Sequence, residues 1–332
     1  MRVLFVILAV LLLVPSWTGE QRLALLGHKP QMVAIPVALD PAHPGRTRVG
    51  ALTFLGGVSL HSIDPAFGGY SALSVIGDRF TLLSDGGNVV SFRMGGDWRP
   101  RSLWFANLPA GPGTGWDKQD RDTESLVIDR GSGRAWVGYE HHDQIWRYTP
   151  GFTGAEAHAA PAAMETWPVN GGPESMARMP DGRFVVISEQ RHVPAARWRG
   201  GEAARLHSRD ALIFPGDPTA TRPVHFAYMP VGRFDPADAT ALPNGDLLVL
   251  DRAFHLPYRF GNRLSLVPAA QLRQGRVARG RLLATLEAPL IHDNFEGVAT
   301  TQEGGATIVW LVSDDNQSWL QQTLLLKFRL AR

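Results

Sequence analysis

A chain of 332 residues, 44% hydrophobic and 19% charged, can bury a full core and is excluded from the class of disordered polyelectrolytes. It has no cysteine, which excludes disulfides, thiol nucleophiles, thiolate zinc sites and a lipid-modified N-terminal cysteine. The formal net charge of +2 comes from scattered lysines and arginines without a basic tract, so nucleic acid is not an expected partner.

The chain begins Met1-Arg2, followed by apolar residues from Val3 to Val14 and then Pro15-Ser16-Trp17-Thr18. This is the layout of a secretory signal peptide, predicted over 1–18. The apolar run is shorter than the roughly 20 residues that cross a bilayer as a helix. The expected mature protein is therefore periplasmic or secreted, without a transmembrane domain, and monomeric. Residues 19–47 read as a lead-in segment and 48–332 as one domain.

From Tyr70 onward one pattern recurs, with the phase positions Ser71, Glu124, Glu174, Asp238 and Glu296 spaced by 53, 50, 64 and 58 residues. Each copy runs through a short apolar stretch to a turn: Gly77-Asp78, Gly131-Ser132-Gly133, Pro180-Asp181-Gly182, Pro243-Asn244-Gly245 and Gly304-Gly305. Such sequences mark hairpin reversals. A strand-forming run follows, as in Phe184-Val185-Val186-Ile187 and Ile308-Val309-Trp310-Leu311-Val312. It ends acidic each time, at Asp85, Glu140, Glu189, Asp251 and Asp314-Asp315.

Apolar stripes of period 3.6 are scarce, and 35 glycines and 24 prolines punctuate the chain. The fold class is all-β: a single β-propeller of five to six blades, each of four antiparallel strands. Five units are countable. The strand-like stretches Arg48 to Leu55 and Thr323 to Phe328 either complete the fifth or form a sixth.

In a propeller the innermost strands line the channel, so equivalent repeat positions meet as a ring. Here Glu124, Glu174 and Glu296 share one phase, with Asp238 near it and Ser71 occupying it in the first unit. Clustered carboxylates repel one another and persist only when compensated. A hard cation bound through oxygen, calcium rather than zinc, meets that need. Alternatively, each glutamate anchors the backbone of its own blade. Basic groups follow the second acidic series: His141-His142, Arg191-His192, Arg252 with His255, and His292. They suit an anionic, phosphorylated substrate and proton transfer. The sequence Gly69-Tyr70-Ser71-Ala72-Leu73 lacks the closing glycine of a nucleophile elbow and lies in a hairpin, which argues against a serine hydrolase.

The series Gly69-Tyr70-Ser71, Asp122-Thr123-Glu124-Ser125-Leu126, Pro173-Glu174-Ser175-Met176, Leu242 to Arg252 and Asn294-Phe295-Glu296-Gly297-Val298 resembles the phytase-like, esterase-like family of exported bacterial propellers. The resemblance implies a phosphoesterase or phosphodiesterase site, assisted by a divalent metal. Its acidic residues fall on Glu124, Glu140, Glu174, Glu189, Asp251 and Glu296, with Asp85 and Asp314 as weaker counterparts. The expected metal ligands are these six. Glu174, Arg191, His192, Arg252 and His255 are the candidate catalytic, substrate-facing groups. The competing expectation is a non-catalytic propeller that binds a ligand or protein partner in the cell envelope.

Overall fold

The computed structural model describes residues 22–255 and 259–331. The expected signal peptide lies outside the described residues. The chain opens with β1 (Val33–Pro36), β2 (Arg48–Val49) and β3 (Leu52–His61). Blade one follows as β4 (Tyr70–Ile76), β5 (Arg79–Ser84), β6 (Asn88–Arg93) and β7 (Arg101–Asn107). Blade two is β8 (Thr123–Ile128), β9 (Ala135–Tyr139), β10 (Gln144–Tyr148) and β11 (Ala155–Ala159).

Blade three comprises β12 (Ser175–Arg178), β13 (Phe184–Ile187), β14 (Arg209–Phe214) and β15 (Val224–Met229). Blade four comprises β16 (Asp235–Ala241), β17 (Leu247–His255), β18 (Arg259–Val267) and β20 (Arg281–Leu286). The short β19 (Val277–Arg279) leaves blade four to pair in parallel with the outer edge of β15. Blade five is β21 (Asn294–Glu303), β22 (Ala306–Asp314), β23 (Thr323–Leu330) and β3.

The ring thus has five blades. The two terminal stretches complete blade five, because β23 pairs antiparallel with β3 from Thr323↔Leu60 to Leu330↔Leu52. Joining a late strand to an early one within a single blade closes the circle. β1 and β2 then pair with β3, so β1 forms the outer edge of blade five.

Each pair of neighbouring blades encloses its own apolar cluster, and the five clusters account for the core. Between blades five and one, for example, Phe80 stacks on Phe92 and meets Trp310 edge-on. This follows from strand alternation: a β-strand buried on both faces between two blades must be apolar throughout, as Leu247-Leu248-Val249-Leu250 is. Polar staples tie the inner strands together. Ser71 Oγ donates to the Thr123 carbonyl at 2.6 Å, Ser125 Oγ to the Pro173 carbonyl at 2.7 Å, and Asp238 accepts from the Val298 amide at 2.7 Å.

Candidate functional site

The inner strands carry one irregularity in common. The β4–β5, β8–β9, β16–β17 and β21–β22 ladders all skip a residue near the start of the inner strand, at Ser71, Glu124, Ala237 and Glu296. In blade three the β12–β13 ladder begins at Ser175, immediately after Glu174. A bulge turns its extra residue out of the pleat. That is how Glu124 and Glu296, which would otherwise face a neighbouring blade, come to face the axis.

On the second strand, one residue past the partner of the residue before the inner-strand phase position, stands a second ring: Asp85, Glu140, Glu189, Arg252 and Asp314. The equivalence is fixed by register, since Ser84 pairs with Tyr70, Tyr139 with Thr123, Asp251 with Pro236 and Ser313 with Phe295. Blade four therefore contributes alanine and arginine, and blade one serine and aspartate, where blades two, three and five contribute acids at both positions. The charged members of the two rings, with Asn170, Gln190 and Asn316, line a cavity of about 290 Å³ at the mouth of the channel.

Of the six residues expected as metal ligands, five line this cavity: Glu124, Glu140, Glu174, Glu189 and Glu296. So do Asp85 and Asp314. Asp251 is placed elsewhere. It is fully buried behind the channel wall, accepts from the Tyr228 hydroxyl at 2.9 Å through both oxygens, and accepts from Ser265 Oγ at 3.3 Å. Burial pushes it up to about 7. One step along a strand reverses the side chain's direction, which separates Asp251 from its neighbour Arg252. Asp251→Asn is expected to cost about 1–3 kcal/mol of stability by disturbing this buried hydrogen-bonded group. Cation affinity should stay within about twofold, as measured by calorimetric titration beside urea unfolding.

Arg252 is the cation lining the cavity. Its Nη2 donates to Glu189 Oε1 at 2.9 Å, and its Nη1 to Asn294 Oδ1 at 3.2 Å and to Glu296 Oε1. Burial opposes its charge, but Glu296 and Glu189 overcome that and raise its pKa further. On the blade-one side, Lys118 Nζ reaches Asp85 Oδ2 at 2.5 Å from the loop before blade two. Among the described residues, Glu124, Glu140 and Glu174 have no such ion pair.

These three offer carboxylate oxygens that all lie within 4.8 Å of one another. Glu140 Oε1 accepts from the Gly171 and Gly172 amides, the latter at 3.2 Å, which fixes the carboxylate. Gly171 sits at φ +125°, and a Cβ there would come within 2.7 Å of the Gln190 side chain, so the cradle requires glycine. Glu124 and Glu174 are pushed far above the usual carboxylate range, first by burial and then by the neighbouring acids, and Glu140 is pushed up to about 7 chiefly by burial. Burial and the nearby Glu296 and Asp85 likewise raise Asp314. Unneutralised, such a cluster holds protons. With a cation it can release them.

Every lining side chain other than Arg252 offers oxygen, and none offers imidazole or thiolate. That donor chemistry fits a hard divalent ion, so Glu124, Glu140 and Glu174 can hold a metal. A second group overlaps the first through Glu140: Asp122 Oδ2 lies 2.8 Å from His141 Nδ1.

The remaining expected residues stand outside the lining. His192 Nδ1 is 3.0 Å from the Ser208 carbonyl and 3.2 Å from Arg209, and His255 is exposed near the end of β17. Arg191 follows Gln190 of the lining and buries an Nε without a hydrogen-bond partner. Lys118, Asn170, Gln190 and Asn316 were not anticipated, because they sit on loops that carry no repeat signal. Arg252's phase was available from the turn glycines: Gly133 to Glu140, Gly182 to Glu189 and Gly245 to Arg252 are each seven residues.

Fold and site together define a five-bladed β-propeller with a buried acidic cavity at one channel mouth. The chain belongs to the phytase-like family described as having the esterase-like activity of phytase, which matches residues 65–317. No curated protein matches it. Among solved structures it is similar to the nidogen/laminin complex, at 12% identity over 83% of this chain and 95% of that one, with a TM-score of 0.45. A gluconolactonase from Xanthomonas campestris is 12% identical over 91% and 99%, with a TM-score of 0.45. A putative 6-phosphogluconolactonase from Bacteroides fragilis is 10% identical over 93% and 85%, with a TM-score of 0.40.

Proposed function

We propose that the protein is an exported hydrolase of phosphate esters, working at the acidic cavity with a calcium ion or a similar divalent cation held by Glu124, Glu140 and Glu174. The observation that carries this reading is the division of the cavity's charge. Arg252 answers Glu189 and Glu296, Lys118 answers Asp85, and of the four lining carboxylates left without an ion pair among the described residues, Glu124, Glu140 and Glu174 pack closely enough to share an ion. Membership of the phytase-like family supports the ester chemistry.

The cation supplies positive charge for the phosphate oxygens and acidifies bound water. The chain's own residues do the rest. An anionic substrate approaching seven carboxylates would be repelled, and Arg252 weakens that repulsion while fixing Glu189 and Glu296 through its two terminal nitrogens. The Gly171-Gly172 amides keep the Glu140 carboxylate in one orientation. Arg191, next along the chain from Gln190 of the lining, is the candidate to meet a substrate oxygen at the rim.

The purified protein should hydrolyse phosphomonoesters or phosphodiesters in the presence of calcium and lose that activity with chelator. Turnover unaffected by chelator would overturn the metal-assisted reading, and its absence across both ester panels would overturn the hydrolase. A second reading, a non-catalytic binding propeller, is favoured by the arginine that already neutralises one side of the ring. It gives saturable ligand binding without turnover.

A further inference from the structure

The loops around the acidic mouth differ from those at the opposite one. Trp319 is 91% exposed, Trp116 59%, Val169 58% and Phe254 51%. All four belong to segments that meet the cavity: Val169 adjoins Asn170, Phe254 is two residues past Arg252, and Trp319 is three past Asn316. Trp116 is two residues before Lys118, which bonds Asp85. Two or three residues of chain span at most about 7–11 Å, so each group stands close to the cavity's edge.

Trp116, Val169 and Trp319 lie on the connections of blades one, two and five, and Phe254 lies near the end of β17 in blade four. Ile63, Leu206 and Leu320 add exposed apolar side chains on loops at the same mouth. Among the described residues, no turn at the opposite mouth carries an exposed large hydrophobic side chain; the others lie on outer strands or near the N-terminus. Trp116 is held in place by Arg22, whose guanidinium lies 5.0 Å from the ring centroid, and Phe254 packs on Phe260 at 5.1 Å. Scattered exposed apolar residues need no explanation, but their gathering round one polar cavity does.

We infer that the ligand of this site is an amphipathic phosphate ester, its phosphate drawn into the acidic cavity and its hydrocarbon or aromatic portion lying on the segments around the mouth that carry Trp116, Val169, Phe254 and Trp319. The inference rests on the reading of the cavity as a cation-assisted phosphoester site and names the class of molecule it takes. The polar head satisfies a site that repels apolar groups, and the tail covers side chains that water leaves exposed. A small, fully hydrophilic phosphate would use the first and leave the second idle.

The test is calorimetric titration of the calcium-loaded full chain with methyl-, butyl- and octylphosphonate, which resist hydrolysis, each kept below its micelle concentration. Affinity should rise at least about tenfold from methyl to octyl, as expected for a few methylenes removed from water. In a Trp116→Ala/Trp319→Ala double variant the rise should shrink to less than about threefold, with methylphosphonate affinity unchanged. Equal affinities across the series, an undiminished rise in the variant, or no binding at all would overturn the inference. The corresponding alkyl phosphates, assayed in parallel, keep the two readings apart. A chain-length gain without hydrolysis fails the hydrolase and upholds the ligand class, while hydrolysis indifferent to chain length does the reverse. Cosedimentation with phosphatidic acid vesicles, lost in the double variant, would identify a bilayer as the source of the amphiphile. A chain-length gain without sedimentation would identify a dispersed one.

Discussion

Glu174→Gln is expected to lower calcium affinity and phosphoester turnover by more than about 100-fold while making the calcium-free protein more stable at about pH 8. The two effects have opposite signs for one reason. Glu174 lies fully within the cluster, beside Glu124 and Glu140, where ionisation costs both desolvation and repulsion. The amide keeps the shape and removes that charge. A glutamate that merely anchored its blade would behave otherwise: its replacement would weaken the fold and leave calcium binding intact. Isothermal titration and thermal melts of both proteins, with calcium and with chelator, decide between them.

The pH dependence of the calcium-free protein follows from the same cluster. Glu140 moves from 4.5 to about 7, mainly by burial. A carboxylate whose folded pKa is raised contributes stability that is complete below its unfolded value and is lost as pH rises through the folded one. The calcium-free protein should therefore lose stability between about pH 4.5 and 7, on the order of 3 kcal/mol from this group. Saturating calcium should flatten the decline, because ionised ligands are the form that binds. Melting temperatures across this range that are indifferent to calcium would refute the assignment.

Arg252→Met should be the most destabilising single change at the site, about 3–5 kcal/mol by urea unfolding, because it strands Glu189 and Glu296. Most of that cost is the penalty of unpaired buried charge, so adding Glu296→Gln to Arg252→Met should recover a large part of it. A cost below about 1 kcal/mol would mean that water neutralises the ring as well as the guanidinium does. Activity should fall along with stability, since the charge that moderates the cavity's repulsion of an anion is gone.

Much of the propeller was legible in the chain. Turn glycines and β-branched runs are local chemistry, and their recurrence from Tyr70 to Val312 gives the blades and places Glu124, Glu174 and Glu296 at one phase. The recurrence also gives the approximate position of the second acidic series. Its phase in blade four was not read correctly from acidity, because Asp251 is an acid in the wrong register and Arg252 a base in the right one. Alternation along a strand, counted from the turn glycine, outranks residue type there.

The residues by themselves determined that identical hairpins repeat and that acids gather at one end of them, because turn formation and strand propensity act over a few positions. Only the tertiary structure decided that five blades close through β23 and β3, that bulges aim the glutamates at the axis, and that Arg252 and Lys118 answer some carboxylates and leave Glu124, Glu140 and Glu174 together. The closure and the ion pairs depend on pairings across 33 to 278 positions of sequence, from Lys118 with Asp85 to Leu330 with Leu52, and no local pattern records which distant partner arrives. The electrostatics follow from that arrival, since a charge's cost is set by what it is buried against.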